Sequence, residues 1–74
     1  MKTIGFIGGG NMAQALLTGI LKAGLTHANH IWVSDIRAEQ LDVLKDLYGI
    51  HTTADNRELT KHADVLVLSV KPVS

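Results

Sequence analysis

The sequence predicts an α/β fold in which the strands of a mostly parallel sheet alternate with helices. Three observations carry this expectation. Short β-branched and aromatic runs alternate with stretches of helical period in the order β-α-β-α-β-α-β, the pattern of crossover units. A glycine cluster, Gly8-Gly9-Gly10, stands at the first strand-to-helix junction. The last run, Val65 to Val70, is almost continuously apolar, as strands buried on both faces of a parallel sheet are.

Taken in order, Thr3 to Ile7 reads as the first strand, and Gly5 within it signals a close approach by a neighbouring helix or backbone. Asn11 to Ala23 has helical rhythm. Met12, Leu16, Ile20 and Ala23 form its expected apolar stripe, widened by Leu17 and Leu21. Gly24 suits the position after a helix end, with Leu25 as the hydrophobic residue that often accompanies such a cap. Thr26 to Asn29 is a connection, and Ile31-Trp32-Val33 is a second strand closing at Ser34-Asp35. Ala38 to Tyr48 forms a second helix with Leu41, Leu44, Leu47 and Tyr48 on one side, stopped by Gly49. Ile50 to Thr52 is a short strand. Asp55 and Glu58 have capping-box spacing ahead of a helix from Asn56 to about His62. Near-obligatory right-handed crossovers and the usual winding then predict a Rossmann-like sheet of strand order 3-2-1-4, open at the edge of strand four.

With 74 residues the chain is at most one small domain, and it has no cysteine for disulfides or thiolate ligands. Seven basic and seven acidic residues cancel, which argues against nucleic-acid binding as the main role. The apolar fraction of 46% and single proline fit a folded domain rather than a disordered one. No run approaches a membrane span of ~18 apolar residues, and no secretory signal opens the chain; the expected setting is cytoplasmic. The sequence stops soon after its most apolar run, so the expectation is a domain cut short.

The chemistry lies in the glycine turn. Gly8-Gly9-Gly10-Asn11-Met12-Ala13 matches G-x-G-x-x-A between a strand and a helix, the context in which this motif binds a dinucleotide. Gly8 permits the tight turn, and Gly10 lets a pyrophosphate approach the backbone. Ala13 is small enough for the helix to lie close to the sheet. The amides from Gly10 to Met12 then face the phosphates at the positive end of the helix dipole. Asp35 closes the second strand, near the ~20-residue spacing expected of a carboxylate that binds the ribose diol of NAD. Ser34 and Arg37 beside it are suited instead to the 2′-phosphate of NADP. Asp35 also reads as a helix cap and Arg37 as a solvated surface cation. The four histidines are scattered without metal-ligand spacing, so no metal site is expected. Lys71 follows the last strand, where it reads either as a surface lysine or as a ligand contact.

The stretches Ile4-Gly5-Phe6-Ile7-Gly8-Gly9-Gly10-Asn11-Met12-Ala13, Asp55-Asn56, Ala63-Asp64-Val65 and Val70-Lys71-Pro72 together resemble the N-terminal domain of pyrroline-5-carboxylate reductases. The resemblance covers essentially the whole chain. It implies reduction of a cyclic imine, 1-pyrroline-5-carboxylate, to L-proline by reduced NADP or NAD, the last step of proline biosynthesis. It also implies a helical C-terminal domain that supplies the substrate contacts and forms a homo-oligomer. Residues 1–74 would then be the dinucleotide domain, inactive alone. The cofactor contacts it implies are Gly8, Gly10, Asn11, Met12 and Ala13 in the turn, Ser34 and its neighbours Asp35 and Arg37, Asn56, and Val70, Lys71 and Pro72 beside the nicotinamide. Asp35 stands where the family's pattern has a neutral residue, and the arginine comes one position later, so the two cofactor signals oppose each other. Two other readings stay open: a dehydrogenase of the 3-hydroxyacid or prephenate type, and a nucleotide-sensing module without catalysis.

Overall fold

The computed structural model describes residues 2–69. Strands β1 (Ile4–Ile7), β2 (Ile31–Ser34), β3 (His51–Thr53) and β4 (Val65–Leu68) alternate with helices α1 (Asn11–Lys22), α2 (Ala38–Tyr48) and α3 (Asn56–His62). All three strand pairings are parallel, and the sheet order is β3-β2-β1-β4. The alternation and winding expected from the sequence are therefore those of the molecule. Among the described residues no helix is long and apolar enough to cross a membrane.

The register aligns the strand ends. Ile7 pairs with Ser34 on one side and with Leu68 on the other, and Ser34 pairs with Thr53. All strands therefore finish on one rim, where ligands bind in open parallel sheets. One sheet layer holds the main core: Phe6, Ile31 and Val33 from the strands against Ala13 and Leu17 of α1 and Leu41 and Leu44 of α2, with Ile50 closing the end. Among the described residues the other layer is α3 alone. A Cβ on Gly5 would sit 2.8 Å from the Cβ of Ala63 and 3.1 Å from Cγ of Leu59, so the glycine admits that helix to the sheet. The close approach signalled by Gly5 is thus a helix contact. Trp32 faces the same layer and lies between two imidazoles. His51 stacks at a ring-centroid distance of 4.8 Å and His62, at the end of α3, at 4.3 Å.

Four local expectations are corrected. The buried stripe of α1 runs through Ala13 and Leu17, whereas Met12 and Leu16 are exposed. On α2, Leu41 and Leu44 are buried but Leu47 is exposed. The β4 strand is not covered on both faces: Val65, Leu66 and Leu68 are exposed because β4 is the sheet's edge and no described helix lies over it. The end of that run at Val70 lies outside the described residues. The loop after α1 also contains a single 3-10 turn, Ala28–His30, where a plain connection was expected.

The caps follow the sequence more closely. Gly24 has φ +68°, its N–H donates to the Leu21 carbonyl, and that of Leu25 donates to Ile20. This double bond pattern is a Schellman cap, although Leu25 itself stays exposed. Gly49 ends α2, also at φ +68°. Asp55 caps α3 by accepting from the Arg57 N–H at 2.8 Å. Glu58 does not reach back to the Asp55 N–H as a full capping box would. Thr53 stands between them, accepting from that N–H and donating its hydroxyl to Glu58.

Candidate functional site

At the rim of the sheet the glycine turn leads from β1 into α1. Gly8 takes φ +103°, a conformation that L side chains rarely adopt. Its N–H donates to the Ser34 carbonyl, so the turn begins while still hydrogen-bonded to β2. Gly9 and Gly10 lack side chains for different reasons. A Cβ on Gly9 would lie 2.9 Å from Leu44 Cδ1, 3.2 Å from Val33 Cγ1 and 3.3 Å from Asp35 Oδ2; this glycine is packed against protein. A Cβ on Gly10 would have Arg37 Nη2 as its nearest neighbour, 3.9 Å away. Gly10 faces a cleft of about 630 Å³ lined by the turn, Met12, Gln14, Asp35, Arg37, Gln40 and Ser69.

Gly10 is the N-cap of α1 with ordinary extended backbone and no side-chain cap. The first intrahelical bond is donated by Gln14 to the Gly10 carbonyl. The amides of Gly10, Asn11, Met12 and Ala13 find no acceptor among the described residues. Free amides at the positive end of a helix dipole make an anion site. Ala13 is fully buried in the core and acts by packing, while Asn11 and the half-exposed Met12 border the cleft.

Asp35 sits at the tip of β2 with its side chain almost wholly buried. Four donors converge on its carboxylate. Oδ1 accepts from the Arg37 N–H at 2.9 Å and from Arg37 Nε at 3.0 Å; Oδ2 accepts from the Gly9 N–H and from Arg37 Nη2, both at 2.8 Å. The Arg37 side-chain bond is the main reason the carboxyl titrates well below the usual range. Burial opposes it, and the amides of Arg37 and Gly9 add to it. The same pairing raises the Arg37 guanidinium, which remains largely exposed. The N-cap of α2 is Arg37, without a side-chain cap, so Asp35 is not that helix's cap; it ties the glycine turn to the end of β2.

Ser34 and Asn56 lie on the α3 side of the rim. The Ser34 hydroxyl, buried, donates to Asn56 Oδ1 at 2.5 Å. They line a second, smaller cleft of about 230 Å³ with Asp35, Ile36 and Ala54. Arg37 does not line it, so Ser34 and Arg37 face different clefts, with Asp35 common to both. Val70, Lys71 and Pro72 lie outside the described residues.

Two residues of the site were not anticipated. Ser69 is buried, and its hydroxyl lies within hydrogen-bonding distance of the Ile7 and Gly8 carbonyls, bracing the turn from β4. A lone hydroxyl inside an apolar run was the available signal. Gln40 donates its side-chain amide to the Gly9 carbonyl; a glutamine on the polar side of a helix gives no such signal.

A parallel 3-2-1-4 sheet with a glycine turn at the strand ends, leading into a helix whose first amides find no acceptor among the described residues, defines a Rossmann-like α/β domain. Residues 3–74 match the family described as NADP oxidoreductase, coenzyme F420-dependent, and the chain belongs to it. Among curated proteins, the chain is 40% identical over 73 residues to pyrroline-5-carboxylate reductase 2 of Bacillus subtilis, covering 97% of this chain and 26% of that protein. It is 37% identical over 71 residues to the pyrroline-5-carboxylate reductase of Escherichia coli, covering 96% of this chain and 26% of that protein. A solved pyrroline-5-carboxylate reductase from Coxiella burnetii superposes with a TM-score of 0.87 at 45% identity, covering 96% of this chain and 26% of that one. The chain therefore spans about a quarter of the length of the relatives it matches.

Proposed function

We infer that this chain is the dinucleotide-binding part of a pyrroline-5-carboxylate reductase and holds reduced NADP or NAD by its pyrophosphate. The observation that carries the reading is the row of acceptor-free amides from Gly10 to Ala13, opening onto a cleft where Gly10 leaves room for a ligand. That donor set suits an oxyanion, and the cleft volume suits a small-molecule site of ~300–1,000 Å³. When bound, the reduced nicotinamide supplies the hydride that saturates the C=N carbon of 1-pyrroline-5-carboxylate. This chain's residues contribute binding and orientation. The turn holds the phosphates, and Asp35 and Arg37 meet the adenosine ribose. The substrate contacts and a homo-oligomeric interface belong to a helical domain not included in these residues. The relatives' shared activity and the match over nearly the whole chain support this assignment.

Cofactor choice turns on the Asp35–Arg37 fork. A carboxylate offers about four lone-pair sites, and four donors already converge on Asp35. A ribose 2′-hydroxyl therefore binds by displacing an Arg37 donor, which costs NAD part of its gain. A 2′-phosphate recruits the exposed guanidinium but meets the carboxylate's charge. The two costs offset, and we expect use of both cofactors, with NADP favoured by at most ~10-fold, or ~1.4 kcal/mol. Titration calorimetry with NADPH and NADH at fixed ionic strength tests this on the wild type, Asp35→Asn and Arg37→Ala. Asp35→Asn is expected to raise the NADPH-to-NADH affinity ratio and Arg37→Ala to lower it. A chain that binds neither cofactor refutes the assignment, and an unchanged ratio in both variants refutes the account of the fork.

A further inference from the structure

Gly9 is held at both of its peptide groups, by Asp35 after β2 at its N–H and by Gln40 of α2 at its carbonyl, and only the carbonyl belongs to the Gly9–Gly10 peptide. The Gly9 N–H donates to Asp35 Oδ2 at 2.8 Å, and the Gly9 carbonyl accepts from Gln40 Nε2 at 2.5 Å. Gln40 stands in the first turn of α2, half-buried, on the wall of the cleft that holds the turn. Its amide has no other partner among the described residues.

The carbonyl of Gly9 and the N–H of Gly10 belong to one planar trans peptide and point in opposite directions. By holding that carbonyl toward α2, Gln40 aims the Gly10 N–H away from α2. This N–H is the first of the acceptor-free amides at the head of α1. Such a constraint matters here because glycines flank the peptide on both sides. With no Cβ on either residue, rotating the peptide by half a turn meets little steric resistance. The flipped peptide would present a carbonyl oxygen to an incoming anion where a donor is needed.

We propose that Gln40 is a positioning residue that fixes the polarity of the Gly9–Gly10 peptide and so keeps the turn a donor site for a dinucleotide's pyrophosphate. The proposal rests on the dinucleotide reading above and adds the residue that orients its anion cradle. Asp35 fixes where Gly9 sits; Gln40 fixes which way the next amide faces.

The test is titration of the full chain with ADP-ribose, which carries the pyrophosphate, and with adenosine 2′-monophosphate, which does not. Gln40→Met keeps the side-chain length and removes the donor. The expected result is a loss of about tenfold or more in ADP-ribose affinity, the scale of one hydrogen bond to a charged group. The adenosine 2′-monophosphate affinity is expected to stay unchanged, and the ligand-free melting midpoint to stay within about 4 °C of wild type. A wild type that binds ADP-ribose, with Gln40→Met binding it equally well, overturns the proposal and leaves the site assignment standing. Equal losses for both ligands, or a loss accompanied by a midpoint drop beyond that limit, assign Gln40 to folding and also overturn it. A wild type that binds no ADP-ribose refutes the site assignment, and the proposal with it.

Discussion

Replacing each of two adjacent glycines by alanine separates folding from binding in this turn. At Gly9 the new methyl carbon would lie 2.9 Å from Leu44 Cδ1, with Val33 Cγ1 at 3.2 Å and Asp35 Oδ2 at 3.3 Å. Leu44 and Val33 are fully buried, so neither withdraws without disturbing the core between α1 and α2. Overpacking of this kind costs about 1–3 kcal/mol. For a domain of this size that lowers the melting midpoint by roughly 4–8 °C per kcal/mol. At Gly10 the nearest protein atom to the new carbon is 3.9 Å away, and φ is −82°, a value any residue adopts. Two small terms oppose each other there. Alanine reduces unfolded-state entropy, worth ~0.4–1 kcal/mol, but it is a poorer N-cap than glycine by a similar amount. Gly10→Ala is therefore expected to melt within about 1 kcal/mol of wild type. Its methyl group occupies the space a pyrophosphate needs, so dinucleotide affinity is expected to fall at least ~10-fold, or ~1.4 kcal/mol. Thermal denaturation without ligand, and calorimetric titration with NADPH and NADH, measure the two effects independently. A Gly9→Ala chain that melts like wild type refutes the packing argument. A Gly10→Ala chain with wild-type affinity refutes the phosphate-binding role of the turn.

Two further outcomes follow from the structure. Asp35 titrates below the ordinary carboxylate range in the folded state, chiefly through Arg37, and Asp55 is shifted the same way, chiefly by the Arg57 amide. On acidification the unfolded chain takes up these protons first, so the stability they contribute is present above the unfolded value of ~3.9 and is lost as the pH falls below it. The midpoint is expected to drop between about pH 5 and pH 2, less steeply in Asp35→Asn; parallel slopes for the two chains would contradict this. Gly5→Ala forces a methyl to within 2.8 Å of the Ala63 side chain and is expected to destabilise by about 1–3 kcal/mol. An unchanged denaturation midpoint would mean that α3 does not dock as described.

The parts legible in the sequence were those written in local chemistry. Gly24, Gly49 and Asp55 marked helix ends through backbone needs that few other residues meet, and the G-x-G-x-x-A turn marked the β1–α1 junction. The burial of α1 was less legible because apolar residues sit nearly all round it. A stripe through Met12 and Leu16 and one through Ala13 and Leu17 differ by a single residue, about 100° of rotation. Only the packing of α1 against β1 and α2 decides between them. For β4, an apolar run specifies a strand but not its cover. In the site, Gly9 and Gly10 look alike in sequence, yet one is packed by Leu44 and the other faces open space. Gln40 acts on a backbone carbonyl brought to it by the fold, a relation that leaves no trace in residue spacing.

The stacking of Trp32 gives the molecule an internal optical probe. The chain has one tryptophan and one tyrosine. Trp32 lies on the α3 layer between His51 and His62, whereas Tyr48 packs on the opposite layer, its hydroxyl 3.4 Å from Thr18 of α1. Indole emission therefore reports the docking of α3, and phenol absorbance reports the packing of α1 against α2. One denaturation recorded at both wavelengths follows the two sides of the sheet separately. Coincident curves would describe a single cooperative unit. If indole emission changes first, α3 detaches while the layer that builds the glycine turn still holds.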